Sequence, residues 1–339
     1  MIPRSESTVQ PDALRKTWQQ VLQQSVLSVE ELLQRLGLDG SHTEFAKSVQ
    51  RQFPLRVPPA YLDQIRRGDP DDPLLRQILP QAAEDEPAPG YGPDPVGDLQ
   101  SQKSPGLLHK YHGRVLLTLT GACAIHCRYC FRRHFPYAEA NPSRSAWAGV
   151  LEYLHGDSSV TEIIFSGGDP LALPDERLAA MAADLQDIPH LKRLRIHSRM
   201  PIVVPERINS ELLAWLSDLS LKPVVVVHAN HAREIGDTTA AGLRELHESG
   251  IHLLNQAVLL RGVNDSAEAL AELSETLFEH DVLPYYLHLL DAVDGAAHFD
   301  VPESEAAKLI SDLRERLPGY LVPKPVREVA GAPYKMPLL

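Results

Sequence analysis

RVLLTLT at 114–120 runs straight into GACAIHCRYC at 121–130, and the first of these two phrases sets the architecture. Val115, Leu116, Leu117 and Leu119, with β-branched Thr118 and Thr120, read as a strand buried on both faces. Five similar runs follow: TEIIFSG (161–167), RLRIHS (193–198), PVVVVHA (223–229), HLLNQAVLL (252–260) and LPYYLHL (283–289). Amphipathic helical stretches separate them near 144–155, 175–187, 209–219, 238–249, 266–280 and 302–316. Apolar strands alternating with helices predict an α/β fold, a parallel sheet covered by helices. Six such units suit either an open doubly wound sheet or a curved, incomplete barrel. In both, chemistry gathers at the C-terminal ends of the strands. Cys123, Gly168–Asp169, Ser198, His228 and Asp291 all fall at such ends.

Working outward, the N-terminal region 1–80 reads as a helical cap. Trp18, Val21 and Leu22 share one helical face, and Val29, Leu32, Leu33 and Leu36 make a second stripe. Ser28 and Glu31 predict a capping box, Gly37 a helix stop, and Pro58–Pro59 another helix start. Residues 81–108 turn to Pro, Gly and acid and predict an irregular connector. The strand–helix core is expected over 109–320, with a C-terminal segment at 321–339.

The formal charge is −12 and 43% of residues are apolar. The acidic balance argues against a nucleic-acid partner, and no apolar run is long enough to predict a membrane span. MIPRSESTVQ at the start lacks the apolar stretch of a secretory leader, so the expected location is cytoplasmic.

The chain has three cysteines, Cys123, Cys127 and Cys130, clustered as C-x3-C-x2-C. An odd, tight set is a poor disulfide framework. Three thiolates can hold three irons of a 4Fe–4S cube and leave the fourth open to another ligand. The alternative is zinc, with His126 or His134 completing the site, in a metal-binding interaction module.

With Tyr129 just before its last cysteine, the loop resembles the signature of the radical S-adenosylmethionine (SAM) superfamily. SGGDPL (166–171) resembles that superfamily's Gly-Gly-acid motif, which implies SAM contacts for Gly167, Gly168 and Asp169. From about residue 53 onward the likeness narrows to lysine 2,3-aminomutases. It is carried by YHGRVLLTLT, CRYCFRRHF, IFSGGDPL, RIHSRMPIVVPERI, NQAVLLRGVND and PYYLHLLD. The fold this implies is a partial (β/α)6 TIM-like barrel.

The same resemblance implies pyridoxal 5′-phosphate as a second cofactor, with Lys335 in AGAPYKMP as its catalytic lysine and Arg114 and Tyr111 near its phosphate. A Schiff-base lysine needs partial desolvation, which this apolar setting suits. Arg132 matches the group that binds the substrate carboxylate, and Asp291 and Glu328 match acids that receive the distal ammonium of L-lysine. Gln256 and Tyr129 match SAM contacts. Three departures stand out. Glu328 replaces an aspartate, Tyr129 a histidine found in some members, and the glycine run before Lys335 is thinned to Gly331, Ala332 and Pro333. His228 and His231 are expected to face inward as structural groups.

DPDDPLLRQ (69–77), PGLLHKYH (105–112), FRRHFPYAE (131–139) and GYLVPK (319–324), with no cysteine after Cys130, resemble one bacterial branch. In that branch (S)-α-lysine becomes (R)-β-lysine, which a partner ligase attaches to elongation factor P. An external electron donor such as flavodoxin or ferredoxin is implied. The alternative within the family is an enzyme making free β-lysine or acting on another amino acid.

Overall fold

The computed structural model describes residues 17–38, 54–137 and 144–338. Ten strands form one continuous sheet in sequence order. They are β1 (Gln102–Ser104), β2 (Leu107–Tyr111), β3 (Arg114–Thr118), β4 (Glu162–Ser166) and β5 (Arg193–Ser198), then β6 (Lys222–Val227), β7 (His252–Val258), β8 (Val282–His288), β9 (Lys324–Arg327) and β10 (Met336–Pro337). Strands β3 to β9 are parallel, and β1, β2 and β10 add antiparallel edges. The six expected strands are β3 to β8. Their first residues pair in step, Arg114 with Glu162, Glu162 with Arg193 and Arg193 with Lys222, so their C-terminal ends share one rim.

The helices between strands Arg144–Gly156, Asp175–Gln186, Ser210–Ser217, Asp237–Glu248, Ala267–Glu279 and Glu303–Arg316 cover the sheet. Each buries a stripe such as Leu178, Met181, Ala182 and Leu185 against the strands. The expected six strand–helix units are the fold found.

Parts of the expected N-terminal cap, residues 1–16 and 39–53, lie outside the described residues. Within them, α1 (Trp18–Leu22) and α2 (Val29–Leu36) join the same hydrophobic core as the strands. Gly37 stops α2 with φ +69°, a left-handed conformation that glycine adopts without steric cost. The expected capping box at α2 is only half made. Ser28 accepts from the Glu31 backbone, but the Glu31 carboxylate turns to Arg35 at 2.6 Å. The reciprocal box occurs instead at Thr17 and Gln20. Pro58 and Pro59 begin a short helix, α3 (Pro59–Leu62), as expected.

The stretch 81–108 is more than an irregular connector. It holds short 3-10 turns at Ala82–Asp85 and Leu99–Ser101, all of β1 and the start of β2. Its Glu84 is fully buried and takes Arg128 at 2.5 Å and Arg133 at 2.8 Å, two arginines that flank the last cysteine. Such a buried triad adds little net stability but fixes geometry, because breaking it leaves a bare charge inside. The connector therefore positions the cysteine loop. Among the described residues, no helix is long and apolar enough to cross a membrane.

Candidate active site

One cavity of about 720 Å³ opens at the strand rim. All fourteen residues expected to hold a cofactor or the substrate line it: the three cysteines, Tyr129, Gly167, Gly168, Asp169, Gln256, Lys335, Arg114, Tyr111, Arg132, Asp291 and Glu328. Segments from the first strand loop to the last strand thus meet in one space.

The cysteine loop follows β3, and the loop after β4 presses against it. Gly168 N donates to Thr120 O at 2.6 Å and Asp169 N to Ala122 O at 2.8 Å. A Cβ on Gly168 would sit 2.5 Å from Ala122 O, and one on Gly167, at φ +132°, 2.5 Å from Thr120 O. Only glycine permits this approach.

The Asp169 carboxylate is saturated from within the chain. Oδ1 accepts from Leu171 N and Ser198 Oγ, and Oδ2 from Arg199 N and Met200 N, all at 2.7–3.1 Å. It ties the rim of β4 to that of β5.

The three thiols are free and half-buried. Burial, then neighbouring Cys130, pushes the Cys123 thiol well above its usual range, and burial and Cys127 push Cys130 up to about 11. Ionising these crowded thiols together therefore calls for a positive charge beside them. His126 and His134, the candidates for a fourth zinc ligand, instead meet backbone carbonyls, Pro54 O at 2.7 Å and Asp294 O at 3.2 Å.

The far side of the cavity carries an alternating chain of charge. Lys335 Nζ contacts Glu328 Oε2, and Glu328 Oε1 takes Lys110 at 2.8 Å. Lys110 also meets Asp98 at 2.5 Å, and Asp98 takes the Nε of Arg132 at 2.7 Å. Arg132 Nη1 donates to Ser166 Oγ at 3.2 Å. Lys335 and Lys110 draw the Glu328 carboxyl down to about 2 against its burial. Arg114 lies 4.7 Å over the Tyr111 ring and has no ion pair among the described residues. Arg195 sits nearby, paired with Glu162 at 2.6 Å.

Asp291 differs from the other acids. Its Oδ1 is buried and has no hydrogen-bond partner. Burial and the adjacent Glu328 raise its carboxyl to about 7. An acid raised in the folded state contributes stability that is full below its unfolded pKa near 3.8 and lost as pH climbs through 7. Asp291→Asn should therefore stabilise the protein at pH 8, by at most on the order of 4 kcal/mol, and raise its melting temperature there. Calorimetry at pH 8 and at pH 4 checks this, the gain being absent at pH 4.

Gln256 Nε2 meets His228 Nε2 at 2.6 Å across the barrel interior. Burial holds His228 and His288 down to about 3 and His197 well below its usual value, so three neutral imidazoles face the cavity. His231 does not line it. Its Nδ1 caps the turn at Ala232–Glu234, accepting from Arg233 N at 3.2 Å. Sequence reasoning missed Asp98, Lys110, Arg195, His197, Arg199 and His288 as cavity groups. Arg195 and His197 carried a signal, since polar side chains on alternate positions of β5 share one face.

Residues 117–274 match the Radical SAM superfamily model. An L-lysine 2,3-aminomutase of Escherichia coli is 47% identical over 96% of this chain and 95% of its own length. The chain belongs to the L-lysine 2,3-aminomutase family. Another L-lysine 2,3-aminomutase, from Haemophilus influenzae, is 43% identical over 94% of this chain and 95% of that one. One from Clostridium subterminale is 34% identical over 97% of this chain but 79% of its own length. As a radical SAM aminomutase the chain is an isomerase, and the superfamily implies a 4Fe–4S cluster and SAM. The crowded thiols, the glycine seat beneath them and the open cavity beside them fit that pair.

Proposed function

We propose that this aminomutase uses pyridoxal phosphate beside SAM to move the α-amino group of (S)-lysine to the β-carbon, giving (R)-β-lysine for elongation factor P. One observation carries the reading: Lys335, the unpaired oxygen of Asp291 and the three cysteines open on one cavity.

Cys123, Cys127 and Cys130 would hold the cluster, with Gly167, Gly168, Tyr129 and Gln256 around SAM. Bound there, the pair supplies a carbon-centred radical. Pyridoxal supplies a conjugated handle for the migrating nitrogen, and the residues present suit it. Lys335 is part-buried, its side chain 20% exposed, and Arg114, without an ion pair among the described residues, suits a phosphate dianion with Tyr111 beside it.

The chain's own work is positioning. Arg132 grips the substrate carboxylate while Asp98 and Ser166 fix the guanidinium plane. Asp291 and Glu328 receive the distal ammonium. With both ends pinned, one Cβ–H bond faces the radical and the other methylenes do not. Leu108, Val115 and Leu254 line the space and keep water from the reacting carbon. The three neutral imidazoles add no positive charge to repel the ammonium. The link to elongation factor P draws support from the branch-like phrases noted above.

The test is anaerobic incubation with lysine, SAM, pyridoxal phosphate and a reductant, followed by chiral product analysis. (R)-β-lysine that the partner ligase then attaches to elongation factor P is the expected result. The opposite hand, or a product the ligase refuses, removes the elongation factor P role, and no β-lysine removes the substrate assignment. Because Asp291 must be charged to hold an ammonium, KM for lysine should also rise as pH falls through about 7. A flat KM between pH 6 and 8 contradicts that role.

A further inference from the structure

Arg199 follows β5 directly and is 5% exposed. Its Nη1 donates to Cys127 Sγ and to Tyr129 Oη. Nη2 donates to Gln77 Oε1 and to Glu234 Oε2, each at 2.8 Å. The guanidinium also lies over the rings of Tyr61 and Tyr129, at 5.4 and 5.8 Å. Behind it, Glu234 is closed off: Oε1 takes Asn230 N, His231 N and Gln77 Nε2 at 2.9–3.1 Å. The cation cannot swing away without stranding a buried carboxylate, a change that costs several kcal/mol.

Nothing in the aminomutase reading uses this arrangement. A permanent positive charge is clamped on one cysteine, with a single negative charge fixed behind it. We propose that Arg199 sets the reduction potential of the cluster through Cys127, with Glu234 as the counter-charge that limits the effect.

The physics is direct. An electron entering an iron–sulfur cube adds negative charge that spreads partly onto its thiolates. A cation hydrogen-bonded to one of them stabilises the reduced form and raises the potential. The pair is buried, so salt screens it little. Removing the cation therefore makes reduction harder, and removing the anion behind it makes reduction easier. A merely structural Arg199, joining Gln77 and Tyr61 to the barrel, predicts neither shift.

The inference needs the cluster but not lysine, pyridoxal or elongation factor P, so it stands or falls apart from the proposed function. The test is an EPR-monitored redox titration of the full chain, reconstituted anaerobically with iron and sulfide, without lysine or pyridoxal. Arg199→Gln should lower the reduction constant about tenfold, a shift of about 59 mV to more negative potential for one electron. Arg199→Lys, which keeps the charge, should recover most of that shift, and Glu234→Gln should move the potential the opposite way. Iron content establishes that each variant carries its cluster. Wild-type potential in Arg199→Gln, or a negative shift in Glu234→Gln, overturns the proposal. Should Arg199→Gln take up no iron, the sign of the Glu234→Gln shift decides.

Discussion

Cys127→Ala is expected to abolish turnover while leaving the barrel folded. Enzymes accelerate their reactions by roughly a millionfold or more, so the expected fall is to background. A cube held by two thiolates instead of three loses the arrangement that leaves a single iron open for SAM. The fold should survive because Cys127 is half-buried on a loop and packs only against the margin of the core. Its removal frees Arg199 from one contact, yet Tyr129, Gln77 and Glu234 still hold that side chain. Circular dichroism with a lysine turnover assay separates the outcomes. Wild-type turnover in the variant contradicts the metal assignment.

Lys335→Ala is the second large effect. It should lose the visible absorbance of lysine-linked pyridoxal and all turnover, while the broad cluster absorbance persists. The two signals separate because Lys335 belongs to the charge chain of Glu328, Lys110 and Asp98, not to the contacts of the cysteine loop. The same variant shifts two acids in a known direction. Lys335 is the strongest attraction holding the Glu328 carboxyl low, and it also lowers that of Asp291. Both pKa values rise when it is removed, with Lys110 still in place. Retention of the pyridoxal band in Lys335→Ala would transfer the cofactor to another lysine.

Much of this was legible before any coordinates. Six of the seven parallel strands, β3 to β8, announced themselves as largely apolar runs, as strands covered by helices do, although β5 alternates Arg195 and His197 with Leu194 and Ile196 where it lines the cavity. Strand β9 and the antiparallel strands β1, β2 and β10 did not. LLHKY in β2 mixes polar and apolar residues, while β9 (KPVR) and β10 (MP) are short and contain proline, which a sheet edge tolerates. The cysteine loop was legible through its spacing, and Lys335 only through resemblance.

The supporting groups were harder to find. Glu84 and Asp98 sit in a stretch of acid, proline and glycine, where a carboxylate is normally solvated. They are buried because the stretch folds back against the cysteine loop, a long-range event that local composition does not record. Arg199 was hidden likewise: a lone arginine after a strand has no spacing signal, and its partners Gln77, Cys127 and Glu234 lie far apart in sequence. Asp169 shows the opposite error of emphasis. Its motif pointed to a SAM contact, whereas the side chain is already filled by four internal donors.

The central claim is that three clustered thiolates hold an iron–sulfur cube with one iron free for SAM. The direct measurement is iron and sulfide analysis of anaerobically reconstituted protein, followed by EPR of its reduced state with and without SAM. The account predicts four irons and four sulfides per chain, broad absorbance near roughly 400 nm, and an EPR signal that changes when SAM is added. A colourless protein carrying one zinc, or a cluster whose signal ignores SAM, would contradict it.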